Sequence, residues 1–261
     1  MRNTRNLGDL ACCPADGFSE FDDCERRDWN DTRDLPEGTP IVLGGGGMFM
    51  PGFPDRLEQL NGFFRVAIWG AGMNYQLDAF PPSECGRLSK ALSKCHGPVG
   101  VRNPGFAMHH GFEHVPCASA MSGVFTHFLK YQGEAHGIRA YEHADKRFAG
   151  SRYAAITNKG DSFQQAIQFI SRATTIVTNS YHGAYWSCLL EKQVVLWRPY
   201  DWGNRFWDGP LEGWPEAKNF ADVEKLRQVF TAGIHHISAL HEARVDNQKF
   251  FGKVQKWLKT L

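Results

Sequence analysis

The feature that most constrains this chain is a series of short apolar runs, each cut off by glycine or a polar turn. "IVLGGGG" stops at Gly44 to Gly47, "FFRVAIWGAG" at Gly70 and Gly72, and "GPVGVRNPG" at Arg102, Asn103 and Pro104. Later come "GIRAYEH", "YAAITN", "TTIVTN" and "QVVLWRP". Runs this short and this rich in β-branched residues fit strands covered on both faces. Helix-compatible segments lie between them, at Pro54 to Leu60, Glu84 to Ser93 and "DSFQQAIQFISRA". In the last, Asp161 is placed to cap and Phe163, Ala166, Ile167 and Ile170 share a face. Strands alternating with helices predict parallel α/β architecture. A tail helix is expected between His236 and Leu261, with Phe250, Val254 and Leu258 at four-residue spacing.

The pattern pauses after "VPCASAM" and restarts, so two Rossmann-like domains are expected, 1–118 and 119–261, the second ending in the tail helix. Ligands in open parallel sheets sit in the crevice beyond the strand ends, which predicts a cleft between the two units. At 261 residues, 42% of them apolar, the chain is long enough to bury a core without covalent staples. Its net charge of +1 gives no general field for nucleic acid or membrane, so an anionic ligand must be held by local groups. No apolar run reaches membrane-spanning length, and "MRNTRNLGDL" lacks the apolar core of a signal peptide. The seven cysteines are odd in number and form no C-x-x-C pair. Reduced thiols in a cytoplasmic protein are the expectation. Cys95-His96 has no second pair to complete a zinc site, and no other metal-ligand spacing is visible.

The stretch "ATTIVTNSYHGAYWSCLLEKQVVLW" predicts strand, polar turn, helix and strand, with His182 where the helix begins. Free backbone N–H groups there favour anions. The plain alternative is a histidine hydrogen-bonded to a neighbouring strand. Arg102 ends another predicted strand, where a fixed guanidinium could clamp a carboxylate or phosphate, although a surface ion pair is the commoner fate of an arginine. "GGGG" permits close backbone approach but lacks the ending of a P-loop. "RNLGDL" places Asn6, Gly8 and Asp9 in a turn, where Asp9 could simply cap the next segment. The tryptophan-rich "WRPYDWGNRFWDGPLEGWP" could offer stacking faces for a sugar, or be a surface loop.

Taken in order, "NLGD", "VLGGGG", "IWGAG", "VGVRN" and "VTNSYHGAYWSCLLEKQVVLW" resemble the polysaccharide pyruvyl transferase family, over Asn6 to about Pro199. The resemblance implies a GT-B-like pair of Rossmann-like domains. It also implies transfer of the enolpyruvyl unit of phosphoenolpyruvate onto a saccharide as a pyruvate ketal, without cofactor or metal. His182 matches the family histidine of an R-L-H or S-x-H-G pattern, the candidate proton donor. Arg102 matches the arginine of a V-R-D pattern that would grip the donor, and Asn6, Gly8 and Asp9 match an N-x-G-D turn near the reacting centre. The expected catalytic residues are therefore His182, Asp9 and Arg102. The expected substrate-binding positions are Asn6, Gly8, Gly45, Gly46, Gly47, Asn179, Ser180, Tyr181, Gly183 and Arg205. Three departures stand out. Ser180 occupies a position where many members carry arginine, Asn103 replaces the V-R-D aspartate, and the strand that usually precedes the N-x-G-D turn is expected to be absent. Arg205, in "GNRF", is expected to supply the charge that Ser180 lacks, ahead of Arg198. Two other readings stay open: a glycosyltransferase using a nucleotide sugar on the same scaffold, and a non-catalytic saccharide-binding relative.

Overall fold

The computed structural model describes residues 6–73, 82–130, 135–150, 152–160, 162–197, 215–229 and 238–261. The described chain opens with a short helix, α1 (Leu7–Ala11), capped by the Asn6 side chain, which accepts from the Gly8 N–H at 3.0 Å. No strand precedes α1 among the described residues. The first sheet then forms in chain order from β1 (Pro40–Gly44), β2 (Arg65–Ala71), β3 (Val99–Val101) and β4 (Glu113–His114), all parallel. Helices α2 (Phe53–Phe63), α3 (Pro82–Leu92) and α4 (Pro104–His110) make the crossovers. From Val66 to Ala71, β2 is buried on both faces, as its unbroken apolar run requires.

After α5 (Gly123–Leu129) a second parallel sheet is built from β5 (Ile138–Glu142), β6 (Ala154–Thr157), β7 (Thr175–Thr178), β8 (Gln193–Trp197) and β9 (Glu216–Ala217). Its spatial order is β6-β5-β7-β8-β9. The chain therefore leaves β5 toward one edge and returns through α6 (Phe163–Ser171) to the other side. That reversal makes the carboxyl ends of β5 and β7 a switch point, the position where a crevice opens in sheets of this type. Two parallel α/β bodies, of four and five strands, thus form a mixed Rossmann-like architecture. Ser162 caps α6 by accepting from the Gln165 N–H at 3.2 Å, and Asp161, the cap expected from sequence, lies outside the described residues.

Helix α7 (Tyr181–Leu189) follows β7 and carries no Asp, Glu, Lys or Arg. All nine of its residues are buried, so it is a core helix and not an amphipathic one. After α8 (Phe220–Val229), the 20-residue α9 (Ala239–Leu258) packs on both bodies. Leu240 and Ala243 join the cluster containing Ala184 and Trp186. Phe250, Phe251 and Val254 join Trp69 of the first sheet, together with Phe18 and Phe21. Between the two groups, buried Asn247 accepts from the Trp69 indole N–H at 2.8 Å and donates to the Pro116 carbonyl at 3.2 Å. Among the described residues no helix is long and apolar enough to cross a membrane.

Candidate functional site

The start of α7 is set by local hydrogen bonding. Ser180 has extended backbone angles, and its hydroxyl accepts from the Gly183 N–H at 3.5 Å, the geometry of an N-cap. Its own N–H donates to Thr178 Oγ1 at 3.0 Å, and that hydroxyl donates to the Tyr141 carbonyl at 2.6 Å, tying the β7 turn to β5. Asn179 completes the tie, accepting from the His143 N–H at 2.7 Å and donating to the Lys146 carbonyl at 2.6 Å. Asn179 and Ser180 thus spend these groups on the scaffold that aims the helix. Gly183 packs against Tyr141 and Thr178.

His182 is 6% exposed. Its Nε2 lies 3.6 Å from Cys117 Sγ. On its other side is Gly8, so close that a Cβ there would fall 2.0 Å from His182 Nδ1. Only glycine admits this approach. The turn holding Gly8 is moored to the second body, since the Leu7 N–H donates to the Asn158 carbonyl at 2.8 Å and Asn6 bridges Lys159. The same turn meets the glycine run. A Cβ on Gly46 would lie 3.1 Å from Asp9 Oδ1, and one on Gly45 would strike Cys12. Gly45 and Gly46 have φ of 68° and 71°, the left-handed region that the tight turn after β1 needs. Gly47, half-buried, follows them. A cavity of about 600 Å³ opens here, with Asp9, Cys12, Gly45, Gly46, Arg26 and Trp29 among its lining. His182 and Arg102 are not part of that lining.

Arg102 follows β3 and is 4% exposed. Its guanidinium lies 4.0 Å from the centre of the Tyr181 ring, a cation–π contact made by the first residue of α7. Its Nε and Nη1 are buried and have no hydrogen-bond partner among the described residues. Leaving buried charged donors unmet is expensive, so this position calls for an acceptor that the described residues do not supply. Asn103, in the place of the expected aspartate, accepts from the Met73 N–H at 2.8 Å and so links the ends of β2 and β3. Arg205 and Arg198 lie outside the described residues.

Two thiols that carry no spacing motif in the sequence belong to this site. Cys117 is fully buried, with Ser119 Oγ 3.2 Å from its sulfur as well as His182. Cys12, buried at the end of α1, donates to the Asp9 carbonyl at 3.0 Å and contacts Cys117. The hydrogen bond with Cys117, burial and nearby Asp9 push the Cys12 thiol well up. Burial also acts to raise Cys117, but hydrogen bonds from Cys12 and His182 and the charges of His182 and Arg102 outweigh it, so this thiol ionises well below its ordinary range. The signal for Cys117 was present. Strand pairing continues to Val115, whose N–H donates to the Val101 carbonyl at 2.9 Å, so Cys117 sits just past a strand end, as Arg102 and His182 do. His143, at the end of β5, is half-buried. Burial holds its pKa down, and the nearby Asp145 and Asp9 only partly offset that.

No family model matches the sequence, and no curated protein does. Among solved structures the chain is similar to a functionally uncharacterized protein from Klebsiella pneumoniae subsp. pneumoniae NTUH-K2044, at 16% identity and a TM-score of 0.48, over 77% of this chain and 82% of that one.

Proposed function

We propose that the chain is a pyruvyl transferase, moving the enolpyruvyl unit of phosphoenolpyruvate onto a saccharide as a pyruvate ketal. The observation that carries this reading is the buried Arg102 guanidinium, with two donors unmet among the described residues, against Tyr181 at the head of α7 next to His182. A carboxylate or phosphate oxygen would satisfy those donors in the bidentate way that guanidinium favours. The α7 amides and the turn after β1 add further positive potential for a donor with two anionic groups.

In this reading His182 delivers a proton to the donor's methylene carbon while a sugar hydroxyl attacks the adjacent carbon. Asp9, next to Gly46, takes the hydroxyl proton. A second hydroxyl of the same sugar then attacks the same carbon as the C–O bond to phosphate breaks, and its proton passes to the now neutral His182, which closes the ketal and recharges the acid. Since Arg102 and His182 are both nearly buried, the donor reaches them through an opening of the surrounding structure. The deciding experiment is calorimetric titration of the protein with phosphoenolpyruvate and, in parallel, with nucleotide sugars. Phosphoenolpyruvate should bind, and Arg102→Gln should abolish that binding. Binding of a nucleotide sugar alone would place the chain among glycosyltransferases instead.

A further inference from the structure

We infer that Cys117 is a nucleophilic thiolate, paired with a His182 imidazolium, at a site that takes small carboxylate-bearing electrophiles. Its sulfur lies 3.6 Å from His182 Nε2, and the unmet Nε and Nη1 of Arg102 belong to the same buried cluster. The charging step is one proton transfer, from Sγ to Nε2, with no change of oxidation state. The titratable and charged groups around the sulfur come from three places. His182, Tyr181, Tyr185 and Cys188 belong to α7, Arg102 follows β3, and Cys12 and Asp9 belong to the α1 turn. Arg102 and a protonated His182 favour the thiolate. The hydrogen bond with Cys117 and burial, with Asp9 adding to them, disfavour ionisation of Cys12 and so leave Cys117 as the thiol that ionises. A nucleophile beside a base, next to a cation that seats a carboxylate, is the arrangement that activates a thiol toward an anionic electrophile.

Iodoacetate is the probe. Its carboxylate meets Arg102, the S–C bond forms as the C–I bond breaks, iodide departs, and His182 keeps the proton. The intact protein is treated with iodoacetate or uncharged iodoacetamide at pH about 6, well under the ordinary thiol pKa of about 8.5, and each cysteine is followed by mass spectrometry. Cys117 should label ahead of exposed Cys24, and iodoacetate should exceed iodoacetamide there by about tenfold or more, the value of one charged hydrogen bond. Arg102→Gln should erase that preference. His182→Gln should return Cys117 to the pH profile of an ordinary thiol. Ultraviolet thiolate absorbance, wild type minus Cys117→Ser, reads the same ionisation without any reagent entering the site. Absence of that absorbance below the ordinary thiol range would overturn the pairing. Labelling no faster than Cys24, or without preference for iodoacetate, would overturn the electrophile site. Protection by phosphoenolpyruvate is scored separately: its absence counts against pyruvyl transfer and leaves the thiolate assignment standing.

Discussion

A single missing methyl group sets the geometry around His182. Gly8 presses its backbone on the imidazole, and a Cβ there would overlap Nδ1 at 2.0 Å. Gly8→Ala should therefore push the turn or the ring aside, at about 1–3 kcal/mol of stability. Urea unfolding measures the cost, and phosphate release from phosphoenolpyruvate with an acceptor sugar should fall with it. A wild-type unfolding midpoint with normal turnover would show that the turn does not rest on the ring. At His182 itself, glutamine keeps a hydrogen-bonding amide but cannot act as an acid. His182→Gln should lower turnover about 10²–10⁴-fold while donor affinity stays within a few fold. If affinity alone fell, His182 would be an anion-binding residue, and His143 or Asp9 would become the candidate acid.

Among the elements, α9 has a dual role that its own spacing does not reveal. Phe250, Phe251 and Val254 face Trp69 of the first sheet, while Leu240 and Ala243 face the α7 cluster. Asn247, fully buried between these groups, bonds the Trp69 indole N–H, the Pro116 carbonyl and the Ala243 carbonyl. Asn247→Ala should leave the first two unpaired, at about 2–4 kcal/mol, read as a lower denaturation midpoint at unchanged slope. Pro116 adjoins Cys117, so the same variant should also disturb the position of the thiol against His182. A surface substitution on α9, such as Lys249→Ala, serves as the control and should change stability by less than about 0.5 kcal/mol.

For the whole molecule, the charge that Arg102 leaves unmet inside the fold makes ligand binding a stability measurement. A donor at one hundred times its dissociation constant should stabilise the folded chain by about 2.7 kcal/mol, or roughly 5–10 °C in a thermal scan of a protein this size. Arg102→Gln should lose the shift. Its own melting temperature without ligand should not fall, because burying an amide costs less than burying an unpaired charge. A variant that melts far below wild type would show that the contact with the Tyr181 ring outweighs the cost of the buried charge.

Much of this fold is legible along the chain. Short apolar runs stopped by glycine or a polar turn mark β1, β2, β3, β5, β6, β7 and β8; in β2 and β7 the run is apolar because the strand is buried on both faces, whereas β6 is a half-exposed edge strand. The same rule marks Arg102 and His182, since each follows a strand end. Local signals reach only so far. The sequence points to Asp161 as the cap of α6, and the cap among the described residues is Ser162, one position later. Cys12 and Cys117 are more than a hundred residues apart in a chain whose thiols carry no spacing motif. Their meeting beside His182 depends on how the α1 turn, the end of the first sheet and α7 pack together. Burial, which strips Arg102 of water and sets one thiol against another, is a property of that packing, so the electrostatics of the site were decided by tertiary structure alone.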